Sequence, residues 1–336
     1  APPVATFGVV DPQPILRAKD ATDPVVVAGD GDGLVDLSAS GLLDPRRAIL
    51  YSAAFAGDRA ALRAATTPGA TLVITDSNRR RGLRWSGMRA NTGYTEQAGE
   101  QPLRTDLLDQ RLDPFPTATD AARTVGVLHG GVRQVRATAY GSRFFGYSNT
   151  ARPVLALDGD VDTAWEVSGG EHVVAPDVLR IDLRRPVTTD HLGIVQPQGG
   201  RRGRWISRVG VRFDGGRWRT LALPAATRRA AGGELRFPRT TFRTVELRID
   251  GTQARAVGAR ASAASKARLA PVGFAEVRIR DEGASRDLRA VESVRLPTDL
   301  LDALGRSSAD HALVIHLSRA DEELRREFRL PTDREF

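Results

Sequence analysis

Two hydrophobic patterns divide the chain. Between residues 25 and 94, short apolar runs such as 25–28 and 71–75 alternate with segments of helical spacing. Three such strand and helix units predict a small parallel α/β layer. From residue 125 to residue 281, apolar and polar positions alternate as in 209–213, which is typical of an antiparallel β-sandwich with one solvated face. The pattern therefore predicts an α+β multidomain chain.

The segments around these two regions complete the predicted plan. Residues 1–24 are rich in proline and lack periodicity, so we interpret them as a linker, and residues 95–124 as a connector. Residues 282–336 contain strand-like runs, of which 312–317 is the most apolar. These runs are too few to close a sandwich alone, so we expect a fragment that ends at the start of a further β domain.

Capping residues and apolar runs predict where the strands and helices of the α/β layer begin and end. Residues 48–55 are predicted to be one strand, and Asp58 is predicted to cap a helix that ends at residue 65. Short helices are predicted at 34–40 and 77–90.

Length and composition limit the classes of protein to which the chain can belong. With 336 residues the chain should hold two or three domains, and it has neither an apolar run long enough to span a bilayer nor a signal peptide pattern. The lack of cysteine excludes disulfides and thiolate metal sites. The net charge of +8 favours anionic partners, but the arginines are scattered and few aromatic residues lie between them, so we expect no nucleic acid partner.

An acidic loop stands out at residues 158–162. Asp158, Asp160 and Asp162 alternate after an apolar run and are followed by Thr163. Such closely spaced oxygen donors are typical of a calcium site. The loop is not an EF-hand, because that motif requires glycine at its sixth position, where this chain has Thr163.

The run 155–165 resembles the signature loop of the discoidin or F5/8 type C domain, whose fold is shared by family 32 carbohydrate-binding modules. Segments 178–183, 205–213, 244–249 and 273–279 are similar, in the same order, to later strands of that family. The resemblance covers about residues 133 to 281 and implies an antiparallel jelly-roll sandwich.

The resemblance also implies a structural calcium ion. The implied ligands come from the acidic loop and the closing strand: the carbonyls of Leu155 and Ala275 and the side chains of Asp158, Asp160, Thr163 and Glu276. Asp162 is not in this set. We expect Trp165 to pack under the loop, and Trp205 and Trp218 to lie in the core of the sandwich.

In discoidin-like modules the sugar binds to loops at one tip, where aromatic faces and polar side chains contact the ring and its hydroxyls. The predicted carbohydrate contacts on these loops are Phe145, Tyr147, Asn149, His172, Gln198, Arg201, Arg202 and Arg204. Each has an alternative interpretation: one of Phe144 and Phe145 in the core, a solvated His172, or arginines paired with nearby glutamates.

Three arginines at the start of the predicted helix 77–90 indicate an anion site. Arg79, Arg80 and Arg81 lie at the positive end of the helix dipole, which is unfavourable unless an anion is close. A phospholipid or polyprenyl-phosphate headgroup is one candidate. The alternative is a solvated helix face with salt bridges.

A wider resemblance covers nearly the whole chain. Segments 72–81 and 91–96, together with the discoidin-like module, resemble the extracytoplasmic part of the mycobacterial arabinofuranosyltransferase D family. In that family a GT-C membrane domain builds arabinan, and soluble modules follow it. The resemblance implies a periplasmic location, a membrane domain of the same parent chain as partner, and arabinan or galactan as ligand. This chain lacks the membrane helices and catalytic aspartates of the family.

We therefore expect a non-catalytic, calcium-stabilised region that holds arabinan, arabinogalactan or lipoarabinomannan acceptor chains. Carboxylates that hold a cation are ionised and cannot serve as proton donors, and no nucleophile-elbow or paired-histidine motif is present. Two alternatives stay open. One is a structural or protein-interaction scaffold without sugar binding. The other is binding to anionic lipid headgroups through Phe144, Phe145 and Tyr147.

Overall fold

The computed structural model of the protein describes residues 20–29, 37–41, 43–44, 46–76, 95, 97–99, 115–142, 149–168, 176–197, 203–254, 270–317 and 325–327. Two helices are α1 (Arg59–Ala65) and α2 (Asp299–Leu304), and residues 37–39 form a further helical turn. In chain order, the strands are β1 (Asp20–Ala28), β2 (Arg47–Tyr51), β3 (Thr71–Thr75), β4 (Val125–His129), β5 (Val132–Ala137), β6 (Gly141–Ser142), β7 (Trp165–Ser168), β8 (Val178–Val195), β9 (Arg204–Phe213), β10 (Arg219–Ala222), β11 (Gly233–Ala254), β12 (Val272–Phe274), β13 (Glu276–Arg278), β14 (Val291–Arg295), β15 (Ala312–His316) and β16 (Arg325–Glu327).

The first layer is a parallel sheet with strand order β15-β3-β1-β2. Successive side chains of a strand alternate between its two faces. On one face Val26 and Leu72 pack with Leu62 of α1 and Leu300 of α2. On the other face Val27 and Val73 pack with Leu37 and other residues of a second apolar cluster. The predicted parallel α/β layer is confirmed.

Helix α1 begins where the sequence predicts. The Asp58 carboxylate accepts hydrogen bonds from the backbone N–H groups of Ala60 and Ala61, at 3.1 and 3.0 Å. Such a cap satisfies donors that have no partner in the first turn of a helix.

The predicted strand 48–55 is wrong in its second half. Strand β2 ends at Tyr51, and Ser52–Phe55 form a 3-10 turn. The chain must reverse between the carboxyl end of β2 and the start of α1. It does so through Ala56 and Gly57, whose φ angles are 49° and 90°. The helix predicted at 34–40 is described only in part, and the one predicted at 77–90 lies outside the described residues.

The prediction that 282–336 starts a further β domain is wrong. Strand β15 extends the α/β sheet by pairing in parallel with β3, with Leu313 beside Leu72. Helix α2 shares the apolar cluster of α1, and β14 pairs with β4. Strand β15 pairs with the edge of β3, and α2 buries its apolar side chains in the cluster that contains Leu62 of α1. Both elements therefore pack against parts of the chain that come earlier in the sequence.

The second layer is a sandwich built on two long strands. One sheet has the order β10-β9-β11-β8-β13, with β5 also on β8, and a second sheet has the order β12-β7-β6. Strands β8 and β11 contain 18 and 22 residues. Their pairing is irregular between Arg236 and Thr240 and again between Phe242 and Thr244, where it lies opposite an exposed stretch at 184–186. The segments 178–183, 205–213 and 244–249 are confirmed as strands.

The described residues of the predicted connector contact both layers. The Gln97 side chain donates to the carbonyl of Val135 at 3.0 Å and accepts from its N–H at 3.2 Å, which fixes it to the sandwich. The buried Thr124 hydroxyl donates to the carbonyl of Thr75 at the end of β3.

Candidate functional site

The cation loop, residues 157–163, is folded around the side chain of Asp158. Asp158 Oδ1 accepts a hydrogen bond from the N–H of Asp160 at 3.0 Å, and the Thr163 hydroxyl donates to Asp158 Oδ2 at 2.6 Å. The same hydroxyl lies 3.1 Å from the carbonyl oxygen of Asp160. The alternating acidic residues therefore form a compact turn in which oxygen atoms face one another.

Glu276 reaches this loop from the closing strand β13. Its carboxylate oxygen Oε1 accepts a hydrogen bond from the N–H of Gly159 at 2.6 Å, and the residue is only 5% exposed. Gly159 has a φ of 88°, a conformation that side-chain-bearing residues rarely adopt, so glycine suits the tightest point of the turn. The structure thus brings Asp158, Thr163 and Glu276 together.

The two carboxyl groups are in an environment that disfavours their charged forms. Burial, assisted by the neighbouring Asp158 charge, raises the pKa of Glu276 to about 7, against the effects of the Gly159 N–H and of Arg278 and Arg289. Burial also raises the pKa of Asp158. A bound cation would favour both ionised forms, because an opposite charge close to a carboxylate lowers its pKa.

An apolar floor supports the loop. Trp165 is fully buried, donates its indole N–H to the carbonyl of Ala139 at 2.9 Å and stacks on Phe274 with ring centroids 5.6 Å apart. Ala164, Val195 and Ala275 form a small buried cluster with Val161. Trp165 belongs to the same buried cluster as Leu157, the first residue of the cation loop.

The oxygen atoms of the loop suit a hard cation only if backbone carbonyls take part. Within the described ranges, no group of three or more His, Asp or Glu side chains could hold a metal ion. A cation at this loop would therefore need backbone carbonyls as well, of the kind that the resemblance implies for Leu155 and Ala275. The exposed Asp160 uses Oδ1 to accept from the N–H of Asp162 at 2.9 Å. Such a mixed set of carboxylate, hydroxyl and carbonyl oxygens suits calcium.

Most predicted carbohydrate contacts lie outside the described residues: Phe145, Tyr147, His172, Gln198, Arg201 and Arg202. The same holds for the predicted anion site at Arg79, Arg80 and Arg81. Asn149 begins a 3-10 turn, Asn149–Ala151, with only its backbone described. Arg204 donates from Nε and Nη2 to the Thr252 hydroxyl, at 3.2 Å each, and from Nη1 to the carbonyl of Ala270 at 3.4 Å. It therefore connects Thr252 of β11 with Ala270.

The prediction that Trp205 and Trp218 belong to the core is wrong. Both are only half-buried and lie outside the buried clusters. Arg228 lies over the Trp205 ring at 4.8 Å, and Arg212 and Arg248 each lie 4.4 Å from the centroid of Trp218. Val209 and Val211 of β9 are buried, and so is Ile206, because the pairing of β9 with β11 shifts at Gly251; the neighbouring Trp205 is left half-exposed, and Trp218 lies beyond the end of β9. The flanking arginines, at 204, 217 and 219, were the signal for this orientation.

A network of charges covers the outer face of the larger sheet near Trp218. Asp182 is 1% exposed and accepts from Arg180 at 2.9 Å and from the Thr244 hydroxyl at 2.8 Å. Burial opposes its ionisation, but these hydrogen bonds prevail and lower the pKa of Asp182. Arg212 forms an ion pair with the buried Glu246. These charged groups are paired with one another, so this face of the sheet contributes to the stability of the sandwich.

No helix among the described residues is long and apolar enough to cross a membrane.

Comparisons with known proteins gave structural neighbours only. No protein-family model matches this chain, and no curated protein matches it. The chain is similar to the structure of arabinofuranosyltransferase AftD from Mycobacteria, with 19% identity, 83% of this chain and 20% of that chain covered, and a TM-score of 0.47. This chain thus spans about a fifth of that protein.

It is also similar to two carbohydrate-binding structures. For a pectin-binding carbohydrate-binding module, the identity is 18%, the coverage is 47% of this chain and 96% of that chain, and the TM-score is 0.32. For the CBM32-1 and CBM32-2 domains of ZmpB from Clostridium perfringens, the identity is 13%, the coverage is 44% and 34%, and the TM-score is 0.32. The structures similar to this chain therefore include an arabinofuranosyltransferase and carbohydrate-binding modules of family 32.

Proposed function

We propose that this chain is a non-catalytic, calcium-stabilised carbohydrate-binding region of a membrane arabinofuranosyltransferase. It holds arabinan, arabinogalactan or lipoarabinomannan acceptor chains on the extracytoplasmic side of the membrane. The observation that carries the proposal is the contact between the cation loop and Glu276, 117 positions apart in the chain, within a β-sandwich. This contact is what the resemblance to discoidin-like modules requires.

Calcium would have a structural role in this proposal. Asp158, Asp160, Thr163 and Glu276 would hold the ion with the carbonyls of Leu155 and Ala275. The ion would neutralise the buried carboxyl groups and fix β13 against the loop. Because ligands preassembled by folding bind the ion better than an unfolded chain does, calcium binding would add to the free energy of unfolding.

The sugar would bind at the loops that contain Asn149 and Arg204. Arg204 lies at the end of the sandwich where β9 begins, and it connects Thr252 with Ala270, which lie on either side of residues 255–269. A tethered module of this kind raises the local concentration of acceptor chains beside a membrane domain. The chemical barrier to glycosyl transfer would be lowered elsewhere in the parent protein.

The geometry of the carboxyl groups supports a non-catalytic role. Glycoside hydrolysis needs two carboxyl groups that face the substrate from opposite sides of the bond. Both oxygens of Asp158 accept hydrogen bonds from within its own loop, and Glu276 is buried against Gly159. Both groups are therefore engaged in hydrogen bonds within the protein.

A structural scaffold is the second candidate, and a separate contact favours it. Arg152, just before the cation loop, forms a two-point ion pair with Glu292 of β14, at 2.8 and 2.7 Å. Both side chains are about four-fifths buried, with 19% and 18% exposed. The sandwich is therefore joined firmly to the segment that leads to the α/β layer, as a bracing module would be.

Titration of oligoarabinofuranosides and oligogalactofuranosides into the isotope-labelled protein, with calcium present, tests the proposal. We expect chemical-shift changes at residues 149–151 and 203–206, with dissociation constants between roughly 10 μM and 1 mM. Arg204→Ala should weaken binding, whereas Arg219→Ala, an exposed arginine on β10, should not. Spectra that stay unchanged above about 1 mM ligand would favour the scaffold.

A further inference from the structure

The segment 288–290 is docked on the sandwich by three backbone hydrogen bonds. The N–H groups of Leu288, Arg289 and Ala290 donate to the carbonyls of Ile279, Gly130 and Leu157, at 2.8, 3.2 and 2.7 Å. The last of these acceptors is the first residue of the cation loop. The segment then continues into β14 and, through α2, into β15 at the edge of the α/β sheet.

The side chain of Arg289 lies against the cation loop itself. A Cβ atom built on Gly159 would stand 2.7 Å from both Cζ and Nε of Arg289 and 2.9 Å from Nη1. The guanidinium group therefore occupies the space that a side chain at position 159 would need. The N–H of the same glycine donates to Glu276, and the preceding residue is Asp158. A positive charge is thus placed next to Gly159, whose N–H donates to the Glu276 carboxylate.

We propose that Arg289 is a resident counterion of the cation loop. Its guanidinium keeps the loop and Glu276 assembled when no metal ion is bound, and it connects the loop to β14. The part of this inference that concerns calcium rests on the proposed function, whereas the part that concerns the metal-free loop does not.

Two consequences follow from the placement of the charge. Opposite charges attract, so Arg289 should stabilise the metal-free loop, and like charges repel, so it should weaken calcium binding. Arg289 is an exposed residue, so dissolved salt screens its charge and both effects should be modest at low ionic strength and smaller at high ionic strength. A residue that acted only through packing would show no such dependence on salt.

The experiment measures thermal unfolding in a chelator and calcium affinity by calorimetry, at low and high NaCl concentration. The variants are Arg289→Met, Arg289→Gln and Arg289→Lys, with Arg286→Met as the matched control, because Arg286 is an exposed arginine three positions away. At low salt we expect both neutral variants to melt about 2–4 °C lower in chelator. Their calcium affinity should rise roughly fivefold. Arg289→Lys and Arg286→Met should behave like the wild type.

Equal melting temperatures and equal calcium affinities for wild type, Arg289→Met and Arg289→Gln would overturn the inference. So would differences that persist unchanged at high salt. A wild type that binds no calcium, together with neutral variants that melt lower in chelator, would remove calcium from the proposed function and leave Arg289 as the counterion of the loop. If Arg289→Met does not fold, Arg289→Gln and Arg289→Lys give the same comparison of neutral and charged side chains.

Discussion

The backbone N–H of Gly159 donates a hydrogen bond to the carboxylate of Glu276, at 2.6 Å, across 117 positions of sequence. The contact joins a turn that follows the 3-10 helix Pro153–Ala156 to a strand near the end of the sandwich. It places a buried carboxyl group beside Asp158, which repels it. The charged forms of both carboxyl groups are therefore disfavoured, and a bound cation would stabilise them.

Replacing Glu276 tests whether calcium stabilises the sandwich. In the wild type, addition of calcium should raise the melting temperature by several degrees relative to chelator, because the ion binds only the folded loop. Glu276→Gln should remove most of this shift, since the amide carries no charge. Glu282→Gln is the control, because Glu282 is an exposed glutamate in a surface ion pair with Arg239. Equal calcium shifts in all three proteins would contradict the structural role of the ion.

Trp165 should be the aromatic residue whose replacement costs most stability. Trp165→Phe leaves the carbonyl of Ala139 without its indole donor and leaves a cavity beside Phe274. We expect a loss of about 2–3 kcal/mol in the free energy of unfolding, measured by urea denaturation. Trp218→Phe is the matched control, because its half-exposed ring lies on the outer face of the sheet, and it should cost less than half as much. A larger loss for Trp218→Phe would reverse our assignment of the two residues.

Asp299 should make the α/β layer sensitive to pH. Burial raises the pKa of this carboxyl group from 3.8 to about 6. Its Oδ1 atom has no hydrogen-bond partner within the described part of the chain. The folded protein therefore holds the proton more tightly than the unfolded chain. The resulting stabilisation is complete below the ordinary pKa of 3.8 and is lost as the pH rises through about 6.

Urea unfolding measured between about pH 4 and pH 7 checks this sign. Asp299→Asn should make the dependence shallower, leaving the part that comes from the raised pKa of Glu276, and should make the protein more stable than the wild type at neutral pH. Asp310→Asn, which changes an exposed aspartate that does not act on Asp299, should leave the slope unchanged. A wild-type protein that gains stability over this pH range, by an amount that Asp299→Asn abolishes, would show the opposite linkage.

Strand β15 should be required for the α/β layer and not for the sandwich. Ile315→Asp places a charge in the apolar cluster that contains Leu72 and Leu300, which should cost about 2–4 kcal/mol. Leu317→Asp changes a residue that is 41% exposed and should have little effect. Hydrogen exchange measured by mass spectrometry should then be faster in β1 and β3 of Ile315→Asp, with β9 unchanged. Equal protection of β3 in both variants would argue against the pairing with β15.

Local patterns were sufficient wherever the partner of a segment was close in sequence. The cap of α1 could be predicted because Asp58 and the N–H groups that it binds lie within one turn of the helix. The alternating residues of β9 place Val209 and Val211 inside, as predicted. The acidic loop was recognised because its oxygen-bearing side chains lie within the short segment 158–163, and Glu276 was assigned to it by resemblance to a known family.

The pairing of strands that are distant in sequence could not be predicted from local patterns. The run 312–316 is apolar enough to predict a strand, but nothing in it distinguishes a new sheet from the free edge of β3, more than two hundred positions earlier. Trp205 and Trp218 show a second limit. A tryptophan is normally largely buried, but the pairing shift at Gly251 leaves Trp205 half-exposed, and Trp218 lies between β9 and β10, where arginines cover its ring.

The pairing of β15 with β3 also sets the order in which the chain can mature on the ribosome. Strands β1, β2 and β3 emerge early, but the last neighbour of β3 is synthesised only after the entire sandwich. Until then β3 presents unpaired backbone groups, which are a template for association with other chains. The sandwich, whose strands all lie between β15 and its partner, can form during that delay. A nascent chain interrupted before residue 312 should therefore depend on chaperones, although its sandwich can already be folded.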